Sequence, residues 1–193
     1  MNWFAGCNWR SQRKDNRRQK REIHIAHRPL IAAVTLLAGA FVHADGSGNP
    51  AAVKSQDGEY FDKAGNPTFK IAKDGAVDWY TYSGYVRYGA NCKQCHGPDG
   101  LGSSYAPSLV DSLKSLSYAE FLAIVASGKQ DVNAAQQLVM PSFGTNRNVM
   151  CYIDPIYVYL RARSDGALGR ELPEKHAPKP EAFKRAEDSC MSG

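Results

Sequence analysis

Between Trp79 and about Asn91 the apolar residues fall at helical spacing, with Tyr82, Tyr85, Val86 and Tyr88 on a shared stripe and Gly89 behind them, and this predicts a first helix. A second is expected from Ser117 to Ala126, where Ser117 can cap the N-terminus and Glu120, three residues on, completes a capping box. A third starts near Asn148, carries Tyr152, Ile156, Tyr159 and Leu160 on one face, and ends at Gly166 and Gly169. Ahead of these, Asp57 to Val77 alternates short apolar steps with the turn-forming stretches Asp62-Lys63-Ala64-Gly65-Asn66-Pro67 and Lys73-Asp74-Gly75, which predicts one or two short hairpin strands. Residues 45–56 read as a flexible leader. After Leu172, Pro173, Pro178 and Pro180 give an extended tail, and Glu181–Cys190 form a short last helix. No repeat or low-complexity run interrupts this order.

The first residues follow a different logic. A basic stretch from Arg10 to Arg28 precedes a 13-residue apolar run, Leu30 to Val42, and Val42-His43-Ala44 offers a small-residue cleavage site. The apolar run is shorter than the roughly 20 residues of a membrane span. Residues 1–44 are therefore read as a removed signal peptide on the general secretory route, with an uncleaved anchor as the alternative. Its removal takes His24, His27, His43 and Cys7 with it.

Charge changes accordingly. The whole chain has a formal charge of +5, but eight of its 24 Lys and Arg lie in residues 1–44 against two of its 19 acidic residues. The remainder holds 16 basic and 17 acidic groups, a formal charge of −1. A basic, nucleic-acid-binding reading fails with it, and no membrane span is expected after signal removal.

The chemistry concentrates at Cys92-Lys93-Gln94-Cys95-His96. This pattern marks c-type haem attachment: two thiols three residues apart add to the haem vinyl groups, and the adjacent histidine becomes the proximal iron ligand. Zinc sites and thiol oxidoreductases also use C-x-x-C, so the motif depends on its context, and export to an oxidising compartment supplies one. Cys151 and Cys190 are then left as an even pair in an exported chain, and a Cys151–Cys190 disulfide is expected. Closing a loop of about 40 residues, it stabilises by roughly 3–4 kcal/mol in the loop-entropy model. For the other face of the iron, Met140 in Met140-Pro141-Ser142-Phe143 is the preferred donor. A thioether there raises the potential, and Pro141 keeps Met140 out of helix, in an extended loop. Met150 is the rival, and Met191 in the tail a distant third.

These residues resemble the class I cytochrome c family over most of residues 79–163. Gly84 and Tyr88 stand eight and four residues before the first haem cysteine, as in that family, and Tyr159-Leu160 matches the aromatic–leucine pair of its last helix. Pro107, in Ala106-Pro107-Ser108-Leu109, is similar to the proline whose carbonyl accepts the proximal histidine's ring N–H. The flanks, Asp57 to Asp62 and Asp78 to Tyr85 with Cys151 and Cys190, look like a group of four-cysteine cytochromes linked to methanol metabolism.

The resemblance implies an all-α cytochrome c fold around one covalent haem c, with an irregular or β-hairpin N-terminal extension and a disulfide-tied tail. Its parts are a signal peptide (1–44), an N-terminal extension (45–77), a haem domain (78–165) and a C-terminal tail (166–193). It implies haem held by Cys92 and Cys95, with Tyr88 and Pro107 supporting it, and iron held by His96 and Met140. The implied protein is a periplasmic electron carrier and not an enzyme. It takes single electrons from a quinoprotein (PQQ) alcohol or methanol dehydrogenase and passes them through transient contacts to a downstream cytochrome or oxidase.

Two alternatives remain at this point: a haem enzyme or gas or redox sensor with a labile sixth ligand, and a zinc site built from Cys92, Cys95, Cys151 and Cys190. Calcium at Asp57–Asp62 or Asp74–Asp78 is a further option, although acids in turns are usually solvated. Tyr80, Tyr82 and Tyr85 are read as helix packing, and His176 as a solvated tail residue.

Overall fold

The helical spacing at Trp79–Asn91 becomes helix α1, capped by Asp78, whose side chain accepts from the Thr81 N–H at 2.9 Å. The computed structural model describes residues 46–132 and 137–193. The expected signal peptide lies outside them. Short helices α2 (Lys93–His96) and α3 (Leu109–Ser112) follow, then α4 (Tyr118–Ser127). The capping box of α4 forms as expected: Ser117 Oγ accepts from the Glu120 N–H, and the Glu120 carboxylate accepts from the Ser117 N–H at 2.8 Å.

The expected third helix is two. Helix α5 (Arg147–Met150) ends before Cys151-Tyr152, and α6 (Ile153–Ser164) begins after them. Pro155 accounts for the break, since it lacks the N–H that would bond the Cys151 carbonyl yet is tolerated in a first helical turn. Every residue of α6 from Pro155 to Arg163 is buried, so this helix is the axis of the core rather than a one-sided amphipath. It crosses α1 at Gly84, where an added Cβ would lie 1.9 Å from the Pro155 carbonyl oxygen.

Two small sheets accompany the helices. Strands β1 (Lys54–Gln56), β2 (Glu59–Phe61) and β3 (Pro67–Thr68) form an antiparallel sheet in sequence order. Asp57 and Gly58 make the β1–β2 turn with positive φ at both positions, the geometry that the Asp-Gly pair favours. Strands β4 (Lys129–Val132) and β5 (Gln137–Met140) form an antiparallel pair that the helical reading did not anticipate.

Both flanks are docked, the leader contrary to expectation and the tail as expected of a disulfide-tied end. Of the expected leader, residues 46–56 are not free, because the Ser47 N–H donates to the Leu113 carbonyl at 3.1 Å and the Arg161 guanidinium donates to the carbonyls of Ser47 and Asn49. In the tail, His176 bridges to Val77 and stacks on Tyr82 with ring centroids 3.7 Å apart, so its ring is packed on a neighbour as well as wetted. Helix α7 (Glu181–Ser192) seats Phe183 edge-on against Tyr80. No helix among the described residues is long and apolar enough to cross a membrane.

Candidate functional site

Helix α1 delivers Cys92 as its last capping residue, and the chain turns at once into α2. The N–H groups of Cys95 and His96 both return to the Cys92 carbonyl, at 3.2 and 3.0 Å. One helical turn therefore carries the motif, and positions i, i+3 and i+4 of a turn share a face. Cys92, Cys95 and His96 all line one cleft, and both thiols are unpaired. Burial pushes the Cys92 thiol up to about 11, with Cys95 adding to the effect. Cys151 is bonded to Cys190, which removes the four-thiolate set that the zinc alternative required.

His96 is buried, and its Nδ1–H donates to the Pro107 carbonyl at 3.0 Å. This bond fixes the tautomer and leaves Nε2 as the donor atom of a ring facing the cleft. The following loop is tied back on itself, with the Gly102 N–H donating to the His96 carbonyl at 2.9 Å. Tyr88 stands behind the cleft rather than in its lining: it is fully buried, and its hydroxyl donates to the Gly97 carbonyl at 2.5 Å. Its part in the site runs through the backbone that follows His96.

Met140 lines the same cleft from another element. It closes strand β5, where the period of two puts Leu138 and Met140 toward the cleft and leaves Val139 largely exposed. The residue is extended, as Pro141 requires, but it belongs to a strand pair and not to a loop. Beyond Pro141 the chain clamps onto the end of α4. The Ser142 hydroxyl donates to the Ala126 carbonyl at 2.5 Å, and the Phe143 N–H donates to the Val125 carbonyl at 3.0 Å. These bonds satisfy helix carbonyls that lack partners within α4. Met150 packs against the core and Met191 lies on α7, and neither lines the cleft.

The cleft walls are Phe121, Ile124 and Val125 from α4, Ile153, Ile156 and Leu160 at α6, and Leu109 with Phe143. Polar side chains in the lining include Asn91, Ser112, Lys129 and Asp131. About 970 Å³ of space, the open mouth included, lies free of protein atoms. A flat, largely apolar macrocycle suits this lining, and the donors His96 and Met140 suit iron. Two of the carboxylates considered for calcium are engaged elsewhere: Asp62 pairs with Arg161, while Asp78 caps α1 and accepts from the Lys70 N–H at 2.7 Å. Among the described residues no group of three or more His, Cys, Asp or Glu is placed to hold a metal ion.

The chemistry-bearing residues that sequence reasoning missed are the two polar residues of β4 at the cleft, Lys129 and Asp131, and the buried Arg163.

Comparison with known proteins agrees with this geometry. Residues 81–160 match the family model described as cytochrome c oxidase, cbb3-type, subunit III. The chain is 56% identical over 138 residues to cytochrome c-553I of Paracoccus denitrificans, covering 72% of this chain and 61% of that protein's length. It is 39% identical over 93 residues to cytochrome c-555 of Methylococcus capsulatus, covering 48% of this chain and 69% of that protein. The crystal structure of the c-type cytochrome XoxG from Methylobacterium extorquens AM1 superposes with a TM-score of 0.69 at 58% identity, over 73% of this chain and 86% of that one. With the C-x-x-C-H turn, the Gly84 crossing and the methionine-bearing cleft in place, the chain belongs to the class I c-type cytochromes, and its cofactor is one covalently bound haem c.

Proposed function

We propose that this protein is a periplasmic electron carrier in which Cys92 and Cys95 hold the haem and His96 and Met140 are the axial ligands of its iron. The observation that carries the proposal is convergence: the thiols and imidazole of one helical turn and the thioether of a separate strand line a single apolar cleft. When bound, the haem supplies one-electron Fe(III)/Fe(II) chemistry. The residues around it do the rest. Pro107 holds the imidazole in the tautomer that presents Nε2, the α4 clamp fixes the methionine strand, and the apolar walls exclude water and favour the less charged ferrous state. His96 is the only histidine in the lining among the described residues, so no second imidazole is on hand for peroxide or gas chemistry.

The electron donor is a periplasmic quinoprotein alcohol dehydrogenase, with methanol dehydrogenase as the first member to test, and the acceptor is a downstream cytochrome or oxidase. The likeness to the four-cysteine, methanol-linked group supports this choice of donor. Exposed Tyr105 and Val139 at the cleft mouth suit a small, short-lived contact with either partner.

The test is an optical spectrum of the exported protein, oxidised and reduced, with a pyridine haemochrome assay and the variants M140A and M150A. One low-spin haem per chain is expected, with a methionine–iron band lost in M140A and kept in M150A. A high-spin ferric spectrum in the parent protein would overturn the axial assignment. Stopped-flow reduction by a purified PQQ-dependent methanol dehydrogenase tests the donor, and a failure to reduce the haem at micromolar concentrations overturns that part alone.

A further inference from the structure

Residues 97–102 follow His96 directly and are held from two helices. Tyr88 of α1 bonds the Gly97 carbonyl, and Arg163 of α6 directs both Nε and Nη2 to the Asp99 carbonyl at 3.2 Å. The third nitrogen of Arg163, Nη1, donates to the Leu168 carbonyl at 2.8 Å, and the Tyr159 hydroxyl stands beside the guanidinium. Arg163 is only 8% exposed, yet none of these partners is a carboxylate. The carboxylate of Asp99 itself is bonded to Arg170 at 2.5 Å. Arg163 is therefore a buried cation set among neutral dipoles. Burying an uncompensated charge is costly, and its place in the fold indicates what it does. Leu160, one turn earlier on α6, lines the cleft, and a Cβ on Gly100 of the His96 loop would touch the same leucine at 3.3 Å.

We propose that Arg163 is a potential-setting residue: its charge, fixed behind the His96 loop, favours the reduced haem, whose iron carries one positive charge fewer. A like charge held in a low-dielectric interior acts over a longer range than one in water. This inference rests on His96 as the proximal ligand, and it adds a role for a residue outside the cleft.

The experiment is spectroelectrochemical titration of the exported holoprotein as parent, R163M, R163K and D99N, at one pH and ionic strength. R163M is expected to shift the midpoint potential downward. R163K, which keeps the charge and loses the two-pronged contact, is expected to stay near the parent, and D99N, which removes the local anion, to shift it upward. An R163M potential equal to the parent's overturns the proposal. So does an R163K shift as large as that of R163M, which would make packing the cause. If R163M does not accumulate, D99N decides, and an unshifted D99N overturns it. A parent protein with a high-spin ferric spectrum overturns the axial assignment and this inference together, whereas a low-spin parent with unshifted variants overturns this inference alone.

Discussion

Arg161 and Asp62 form an ion pair sealed inside the protein, Nη2 to Oδ2 at 2.7 Å, with side-chain exposures of 0% and 3%. Arg161 also donates to the Pro67 carbonyl at 2.9 Å and to the carbonyls of Ser47 and Asn49, while the other oxygen of Asp62 accepts from the N–H groups of Ala64 and Asn66. The pair thus ties the β1–β3 extension to the central helix. Removing one partner strands the other charge in the interior, which costs about 3–5 kcal/mol. D62N should lose about that much in urea denaturation while keeping the parent haem spectrum, since neither residue lines the cleft. A loss under about 1 kcal/mol would show that the extension does not unfold with the haem-binding body.

Gly84 supplies the second prediction. Its missing side chain is required by backbone, because a Cβ would stand 1.9 Å from the Pro155 oxygen and 2.8 Å from the Tyr159 Cβ. G84A gains up to about 1 kcal/mol in helix propensity. It must nonetheless push α1 and α6 apart, and overpacking of this kind costs about 1–3 kcal/mol and occasionally more. A net destabilisation of about 2 kcal/mol in thermal melts is expected. An alanine variant as stable as the parent would mean that the crossing is not tight.

These two sites mark where the sequence could be read and where it could not. Gly84 was visible through the resemblance to the class I family, in which a glycine eight residues before the first haem cysteine goes with an aromatic–leucine pair in the last helix. Ser117 and Glu120 were visible from the residues alone, because a cap is decided within four residues. Arg161 was not, because Leu160-Arg161-Ala162-Arg163 reads as a helix turning its charges to water. Only the distant Asp62 carboxylate and the carbonyls of Ser47, Asn49 and Pro67 compensate its burial. The β4–β5 pair was missed because Lys129-Gln130-Asp131-Val132 has one β-branched residue in four, so pairing with the strand that bears Met140 stabilises it more than propensity does. In the site, the attachment turn and Met140 were legible as residue types in order, but their meeting in one cleft depends on packing between elements.

Glu59 predicts a pH effect. Its Oε1 is buried with no hydrogen-bond partner, and burial, followed by the nearby Asp154 and Asp78, pushes its carboxyl up to about 7. The folded state therefore holds a proton that the unfolded chain, near the ordinary value of 4.5, has released. Where the folded state binds more protons, stability falls as pH rises, so this contribution is lost between about pH 4.5 and about pH 7. E59Q, which cannot ionise, should be more stable than the parent at pH 8 and should flatten the stability profile across that window. Parallel profiles for the two proteins in denaturant titrations would contradict it.

The Cys151–Cys190 bridge joins the end of α5 to α7 and closes a loop with a sequence separation of 39. In the loop-entropy model a closure of that size contributes about 4 kcal/mol, all of it through the unfolded chain. Helix α7 has other anchors: Phe183 lies edge-on to Tyr80, and the Tyr152 hydroxyl donates to Glu187 at 2.6 Å. Neither cysteine lines the cleft. The C151S/C190S double variant should therefore keep the parent spectrum and potential and lose up to about 4 kcal/mol in global stability. Its amides in residues 181–192 should exchange faster than those of α6, because opening α7 no longer stops at a covalent tether. If the double variant instead lost its methionine–iron band, the tail would be holding the cleft closed, and α7 would belong to the site rather than to its support.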